Sequence, residues 1–393
     1  MDKIVYLDNA ATTALDPMVL EAMIPYMTEF YGNPSSGYSI GRQTRRAIES
    51  ARKQVADMLG VKPTNIFFTS GGTESNNTAI SAALTDLGCT HIISSPIEHH
   101  AVLHTITHYC GDAKVTRSFV KLNASGEVDL HDLDEQLAER SAKGIKCLVS
   151  LMHANNEIGS LLNLTTVGEI CERYAAIFHS DCVQTIGHYT LNFASSGVHF
   201  ASASGHKFHG PKGTGILYVR DGINFTPFIH GGGQERKRRA GTENTHGIIG
   251  FTKALELAME NQVKDQAQIE TLNKQMREKL NALSDEISFN STAESLYTVL
   301  SVNFPTGTNT DLMLALLDRN GICASGGSAC NTGETYGSHV IAALNKGLAG
   351  ATIRFSFSKT TCAVDIDAAV EVLGKILEPV KAVDHSTAAI PAD

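Results

Sequence analysis

Short apolar runs alternate with amphipathic stretches along most of the chain. Asn65-Ile66-Phe67-Phe68-Thr69, His91-Ile92-Ile93-Ser94 and Lys146-Cys147-Leu148-Val149-Ser150-Leu151 are each followed by a helical pattern. Runs of this length without polar alternation mark strands covered on both faces, so a mainly parallel sheet with helices packed over it is predicted. Asp16-Pro17 opens an amphipathic helix reaching Phe30, with proline at a tolerated early position. A second helix is predicted over Gly41–Leu59, because Ala47, Ala51, Val55 and Met58 recur at helical spacing while arginines cover the other face. Between Lys207 and Arg239 the chain turns glycine-rich. A long helical pattern then runs from about Ile248 to Leu283. A boundary inside that helix, near 258, divides the chain into a large domain (14–258) and a smaller α/β domain (1–13 and 259–393). The last residues, Val383 to Asp393, are small and polar and are expected to fray. No internal repeat is visible.

Composition narrows the class. The 393 residues are 42% hydrophobic and 19% charged, which fits a folded chain rather than a disordered one. With 32 Lys+Arg against 41 Asp+Glu the net charge is −9, which argues against a general nucleic-acid binder. The start of the chain meets Asp8 before any long apolar run, and no stretch approaches the roughly 20 apolar residues of a membrane helix. Eight cysteines, at 89, 110, 147, 171, 182, 323, 330 and 362, form no CxxC pair. A disulfide scaffold and a structural zinc site are disfavoured, and a reduced, cytoplasmic protein away from membranes is expected.

Several constellations could carry chemistry. Thr69-Ser70-Gly71-Gly72-Thr73-Glu74 joins a strand to a helix, and the start of that helix offers N–H groups to an anion. It reads equally as a glycine turn with Thr73 as N-cap, and it matches neither an ATP P-loop nor a dinucleotide fingerprint. Ala203-Ser204-Gly205-His206-Lys207 places a lysine just after a strand. Such a lysine can form a Schiff base with an aldehyde when its site favours the neutral amine, although most lysines are solvated. Phe178-His179-Ser180-Asp181-Cys182-Val183-Gln184 ends an apolar run on an aspartate, which is either a turn residue or a partner for a pyridine nitrogen. Met152-His153-Ala154-Asn155-Asn156-Glu157 offers amides after another strand. His100, His104 and His108 share a helix face, yet no HExxH or nearby carboxylate completes a metal site. Arg354 lies in an apolar strand and needs either a structural partner or a substrate carboxylate. Cys330, in Gly326-Gly327-Ser328-Ala329-Cys330-Asn331, has no apolar neighbours to bury it, as an exposed nucleophile would.

Each piece alone is weak, but their order and spacing are specific. From Tyr6-Leu7-Asp8-Asn9-Ala10-Ala11-Thr12-Thr13 through Arg354 the chain resembles the NifS/IscS-like cysteine desulfurases. These are class V, fold-type I enzymes dependent on pyridoxal 5'-phosphate (PLP). The resemblance implies an α/β fold with a mainly parallel, seven-stranded-type large domain and a small α/β domain carrying the Cys330 loop. It implies that Lys207 holds PLP as a Schiff base, that Asp181 pairs with its ring nitrogen, and that His99 stacks on the ring and moves protons. Asn155 and Gln184 would contact the ring's phenolic oxygen. Gly72, Thr73, Ser204 and His206 would hold the phosphate, and Thr242 would reach the phosphate of the other subunit of a homodimer. Arg354, with Asn33, would grip the carboxylate of L-cysteine. Cys330 would take the sulfur as a persulfide and release L-alanine. No resident metal is implied, beyond a transient iron–sulfur cluster at Cys330.

The chain departs from the family pattern at Tyr38 (usually His), Cys182 (commonly Ala) and Gly326 (frequently Ser). Its tail does not resemble the segment with which housekeeping members bind the iron–sulfur scaffold. The acceptor therefore stays open among an iron–sulfur scaffold protein and thiolation or DNA-phosphorothioation enzymes. Competing readings are a selenocysteine lyase, a class V aminotransferase and, outside enzymes, an inactive sulfur-relay scaffold subunit. A transaminase has no use for Cys330, and a silent scaffold has none for Lys207, Asp181 and His99.

Overall fold

The computed structural model describes residues 4–111, 114–292, 294–326, 338–344 and 350–387, with side chains to 378. Cys330 lies outside the described residues. In chain order the strands are β1 (Val5–Tyr6), β2 (Ile66–Thr69), β3 (His91–Ser94), β4 (Thr116–Phe119), β5 (Cys147–Ser150), β6 (Ile177–Asp181), β7 (Phe200–Ser204), β8 (Gly215–Val219), β9 (Ser288–Phe289), β10 (Val299–Thr306), β11 (Ile322–Cys323) and β12 (Gly350–Ser356). The helices are α1 (Pro17–Thr28), α2 (Ser39–Met58), α3 (Gly72–Thr85), α4 (His100–Cys110), α5 (Leu130–Ala142), α6 (Leu164–Arg173), the single turn α7 (Gln234–Lys237), α8 (Thr245–Leu283), α9 (Thr310–Arg319), α10 (His339–Ala343) and α11 (Ala363–Thr387).

Seven strands form one sheet in the order β2-β8-β7-β6-β5-β3-β4. β4, β3, β5, β6 and β7 pair in parallel, and β8 runs antiparallel between β7 and β2. The sheet is therefore mixed and mostly parallel. The three apolar runs read from sequence become β2, β3 and β5. β2, β3, β5, β6, β7 and β8 are buried along their whole length, which is why they lack polar alternation. β4 at the edge is mostly exposed and carried no such signal. The functional loops follow the C-terminal ends of the parallel strands, where α/β sheets bind ligands.

A second core lies under the antiparallel sheet β12-β10-β9 and the parallel pair β1-β11. Helix α8 serves both cores. Its first part packs Ile248, Phe251, Ala254 and Leu255 against the large sheet, and its later part packs Ile269, Leu272, Met276 and Leu280 into the second core. α1 begins as the sequence suggests: Asp16 caps it, accepting from Met18 N at 2.9 Å. No helix among the described residues is long and apolar enough to cross a membrane.

Candidate active site

A cavity of about 360 Å³ opens at the C-terminal ends of β2, β6 and β7. Gly72, Thr73, His99, Asp181, Gln184, Ser204, His206, Lys207 and Arg354 line it, together with Ala10, Ala11, Asn76, Asn156, Glu157 and His339. Most of the residues singled out in the sequence are thus brought together, and the cavity lining as a whole comes from eight separate segments. Asn33 and Thr242 are exposed and do not line this cavity.

One end of the cavity is built by backbone. Gly71, not Thr73, occupies the N-cap position of α3, and it makes no side-chain cap. Its φ of +147° with ψ of −175° is a region open to glycine almost alone. A side chain on Gly72 would put its Cβ 2.5 Å from Val183 Cγ2. The two glycines thus let the start of α3 approach β6 and β7, and they leave its first N–H groups without a side-chain cap, beside Ser204 and His206. Burial, with Lys207 and Lys212 adding to it, lowers His206 to about 4, so its neutral ring offers one donor and one acceptor.

The opposite groups are acid, amine and ring. Asp181 ends β6 and is 6% exposed; its Oδ1 accepts from Val183 N at 3.0 Å and its Oδ2 from Asn76 Nδ2 at 2.6 Å. Lys207 closes the 3-10 turn after β7, and its Nζ donates to Ala10 O at 2.7 Å and Ala11 O at 2.8 Å. His99 is the N-cap of α4, with Nδ1 accepting from Ala101 N at 3.1 Å. The neutral ring therefore carries its proton on Nε2. Burial is the main force lowering its pKa; the neighbouring Lys207, His339 and His104 act the same way, against Asp181. Gln184 Nε2 donates to Ala10 O at 3.0 Å. Arg354 has the structural partner that its place in an apolar strand called for. It lines the cavity, and it is ion-paired through Nη2 to Asp8 Oδ1 at 2.6 Å and bonded through Nη1 to Asn156 O at 2.9 Å.

Asn155 lies apart from this set. Its Nδ2 donates to Ile97 O at 2.7 Å, and its Oδ1 accepts from Glu157 N and Ile158 N at 2.8 and 2.9 Å. The amide braces its own turn and is wholly buried.

Sequence reasoning gave no role to Asp8, Asn76, Glu98, Glu157 or His339. Glu157 accepts a hydrogen bond from Ser338 Oγ, and His339 Nε2 bonds Glu98 O at 3.0 Å. Val340 and Leu344 bury against Ile97 and Ile158, so α10 is fastened to the rim of the cavity by polar and apolar contacts together. The His100 ring lies between those of His104 and His339, tilted to both, with ring centroids at 4.8 and 4.6 Å. Among the described residues no His/Cys/Asp/Glu group is arranged to hold a metal. The buried thiols Cys89, Cys147 and Cys182 are pushed up to about 12, 11 and 12 by desolvation, which makes them poor nucleophiles.

Glu98 is wholly buried, and desolvation raises its carboxyl well above the ordinary range against one hydrogen bond from Met152 N at 2.8 Å. The unfolded chain loses this proton at lower pH than the folded one, so Glu98 erodes stability as pH rises through that window. Glu98→Gln is expected to be stabilising there. In urea unfolding, its midpoint should gain on the parent between pH 4.5 and pH 8. A gap that stays constant or narrows would show that Glu98 ionises normally.

The cavity joins a primary amine, a buried carboxylate, a neutral imidazole and an anion cradle. These donors fit a planar, phosphorylated aldehyde such as pyridoxal phosphate. The class-V aminotransferase family model matches residues 5–369. The cysteine desulfurase IscS of Dictyoglomus turgidum is 41% identical over 98% of this chain and 97% of its own length. A solved NifS-like protein superposes with a TM-score of 0.87 at 37% identity, covering 95% of this chain and 99% of its own. SspA, solved in complex with cysteine, superposes with a TM-score of 0.77 at 32% identity over 91% of this chain and 99% of its own.

Proposed function

The chain belongs to the cysteine desulfurases of the class V aminotransferase family, which depend on pyridoxal phosphate, and from that premise we propose how its own residues divide the work. The observation that carries the reading is the convergence of Lys207, Asp181 and His99 on one cavity whose far end is the uncapped start of α3. When bound, pyridoxal phosphate supplies an aldehyde that takes an amine covalently and a ring that draws electrons from the substrate's Cα.

Lys207 Nζ holds that aldehyde and moves the Cα proton of the substrate. Asp181 would partner the ring nitrogen and keep its proton in place. The N–H groups at the start of α3, with Thr73, Ser204 and His206, hold the phosphate, and Thr242 of one protomer completes the phosphate site of its partner in a homodimer. Gln184 contacts the phenolic oxygen. Asn155 supports that side of the site through its turn. His99, neutral and protonated on Nε2, would stack on the ring and pass protons. Arg354 binds the carboxylate of L-cysteine, pre-aligned by Asp8, and Asn33 assists from the rim.

Cys330 is the sulfur acceptor. Its thiolate attacks the substrate sulfur; the S–S bond forms as Cβ–S breaks, and the electron pair and a proton end on the methyl group of alanine. The persulfide then passes to an acceptor protein, an iron–sulfur scaffold or a thiolation enzyme. We place this chemistry in the reducing cytoplasm, where such thiols persist.

The test is alanine and sulfane sulfur formed from L-cysteine by the parent and by Cys330→Ser, on protein whose cofactor absorbance has been recorded. Serine should abolish bound sulfane sulfur and cut alanine release at least about 100-fold. Equal alanine release by both proteins would remove Cys330 from the reaction and favour a lyase or an aminotransferase.

A further inference from the structure

Behind Asp181 the large sheet carries a buried chain of hydrogen bonds that none of these steps uses. β5 and β6 pair Ser150 with His179, and β6 and β7 pair Asp181 with Ser202. His179 and Asp181 stand two apart on β6 and so share one face of the sheet. His179 is completely buried. Its Nδ1 lies 2.9 Å from Ser150 Oγ, and its Nε2 lies 3.1 Å from Asn76 Oδ1 and 3.3 Å from Ser202 Oγ. Asn76, on α3, completes the chain through Nδ2, 2.6 Å from Asp181 Oδ2.

Chemistry fixes the direction of every bond. A carboxylate oxygen only accepts, so Asn76 turns its NH2 to Asp181 and its carbonyl oxygen to His179. That oxygen also only accepts, so His179 carries its proton on Nε2. Burial lowers His179 to about 4, which keeps the ring neutral and leaves Nδ1 to accept from the Ser150 hydroxyl. The donors then run one way, from Ser150 to His179 to Asn76 to Asp181. The His179 N–H meets the Asn76 oxygen and so adds a second hold on the amide whose NH2 reaches the carboxylate.

We infer that Asn76 and His179 are positioning residues, which orient the Asp181 carboxylate toward the ring nitrogen of the bound cofactor. The inference rests on the reading of Asp181 as the partner of that nitrogen. In the cavity Asp181 has a second donor, Val183 N, on its other oxygen. Two fixed donors hold the plane of the carboxylate, and the ring that meets it inherits that plane. Neither Asn76 nor His179 stood out in the sequence. The two-residue spacing of His179 and Asp181 on an apolar strand was the available signal.

The test uses full-length protein stripped of cofactor and titrated with pyridoxal phosphate, with three readouts: dissociation constant, visible circular dichroism of the bound cofactor, and melting temperature of the cofactor-free protein. Asn76→Leu should weaken binding by about tenfold, as loss of a hydrogen bond to a charged group does, and His179→Leu by about threefold, as loss of a neutral one does; both should alter the visible band. His179→Gln, whose amide can still donate to Asn76, should restore both. A merely structural role would lower the melting temperature without changing the visible band. Asp181→Asn separates the two claims. If it weakens binding while the Asn76 and His179 variants bind and absorb like the parent, the positioning inference is wrong. If Asp181→Asn also behaves like the parent, the reading of Asp181 itself is wrong. Should either leucine variant fail to fold, Asn76→Ser, polar but too short to reach Asp181, decides by the same readouts.

Discussion

Lys207→Ala is expected to abolish desulfuration, lowering kcat on L-cysteine by at least about 10³-fold. The loss follows from where the amine sits. The buried strand β7 runs into a tight turn, Gly205–Lys207, that lifts Lys207 over the cavity. Its Nζ donates to Ala10 O and Ala11 O, two carbonyls of the segment after β1. Alanine therefore removes a nucleophilic amine and also two hydrogen bonds that tie this segment to the turn. Lys207→Arg separates these effects. Arginine can still donate to both carbonyls but stays protonated, so it cannot form a Schiff base or move the Cα proton. Both variants should lose turnover alike, while arginine keeps a melting temperature nearer the parent. Arginine turning over within about tenfold of the parent would show that Lys207 serves the fold rather than the chemistry.

Glu235→Gln carries the largest expected cost in stability, about 3 kcal/mol or more in urea unfolding. Arg52 on α2 is 2% exposed, and both of its terminal nitrogens reach Glu235, at 2.7 Å each. Glu235 also accepts from Phe68 N at 2.9 Å, and the Arg52 guanidinium lies 4.8 Å over the Phe68 ring. Glutamine leaves the buried guanidinium with only the half-exposed Glu49, 3.3 Å from Nη2, as a charged partner. It also loosens a strained segment: Glu235, Arg236 and Lys237 hold φ of +42°, +56° and +65°, which such residues adopt only when their surroundings impose it. A loss below about 0.5 kcal/mol, the range of ordinary surface substitutions, would mean the clamp contributes nothing net.

The elements that could be read from the sequence were those set by burial alone. β3 spans the run His91–Ser94, and β2 and β5 lie inside their predicted runs, because a strand covered on both faces has no choice but to be apolar. The helix expected from about Ile248 starts a turn earlier, at Thr245, where Asn244 caps it through Gly247 N. Lys207, Asp181, Ser204 and His206 were legible because each follows or ends such a strand. What escaped depends on contacts between distant segments. Asn76 meets His179 across 103 positions, and Arg354 meets Asp8 across 346. Asn155 shows the converse. An amide in a polar loop looks ready for a ligand, and only the folded turn reveals that its oxygen and nitrogen are already engaged.

Helix α8 has 39 residues and so extends about 58 Å. A rod of that length whose two ends are bedded in different cores acts as a shared beam. Neither core can melt by itself without stripping apolar residues from half of the beam, and a helix half without a packed face is marginal in water. Thermal unfolding of the two cores is thereby coupled into one transition, and any tilt of one core against the other must be taken up by bending the rod or by sliding at its seats.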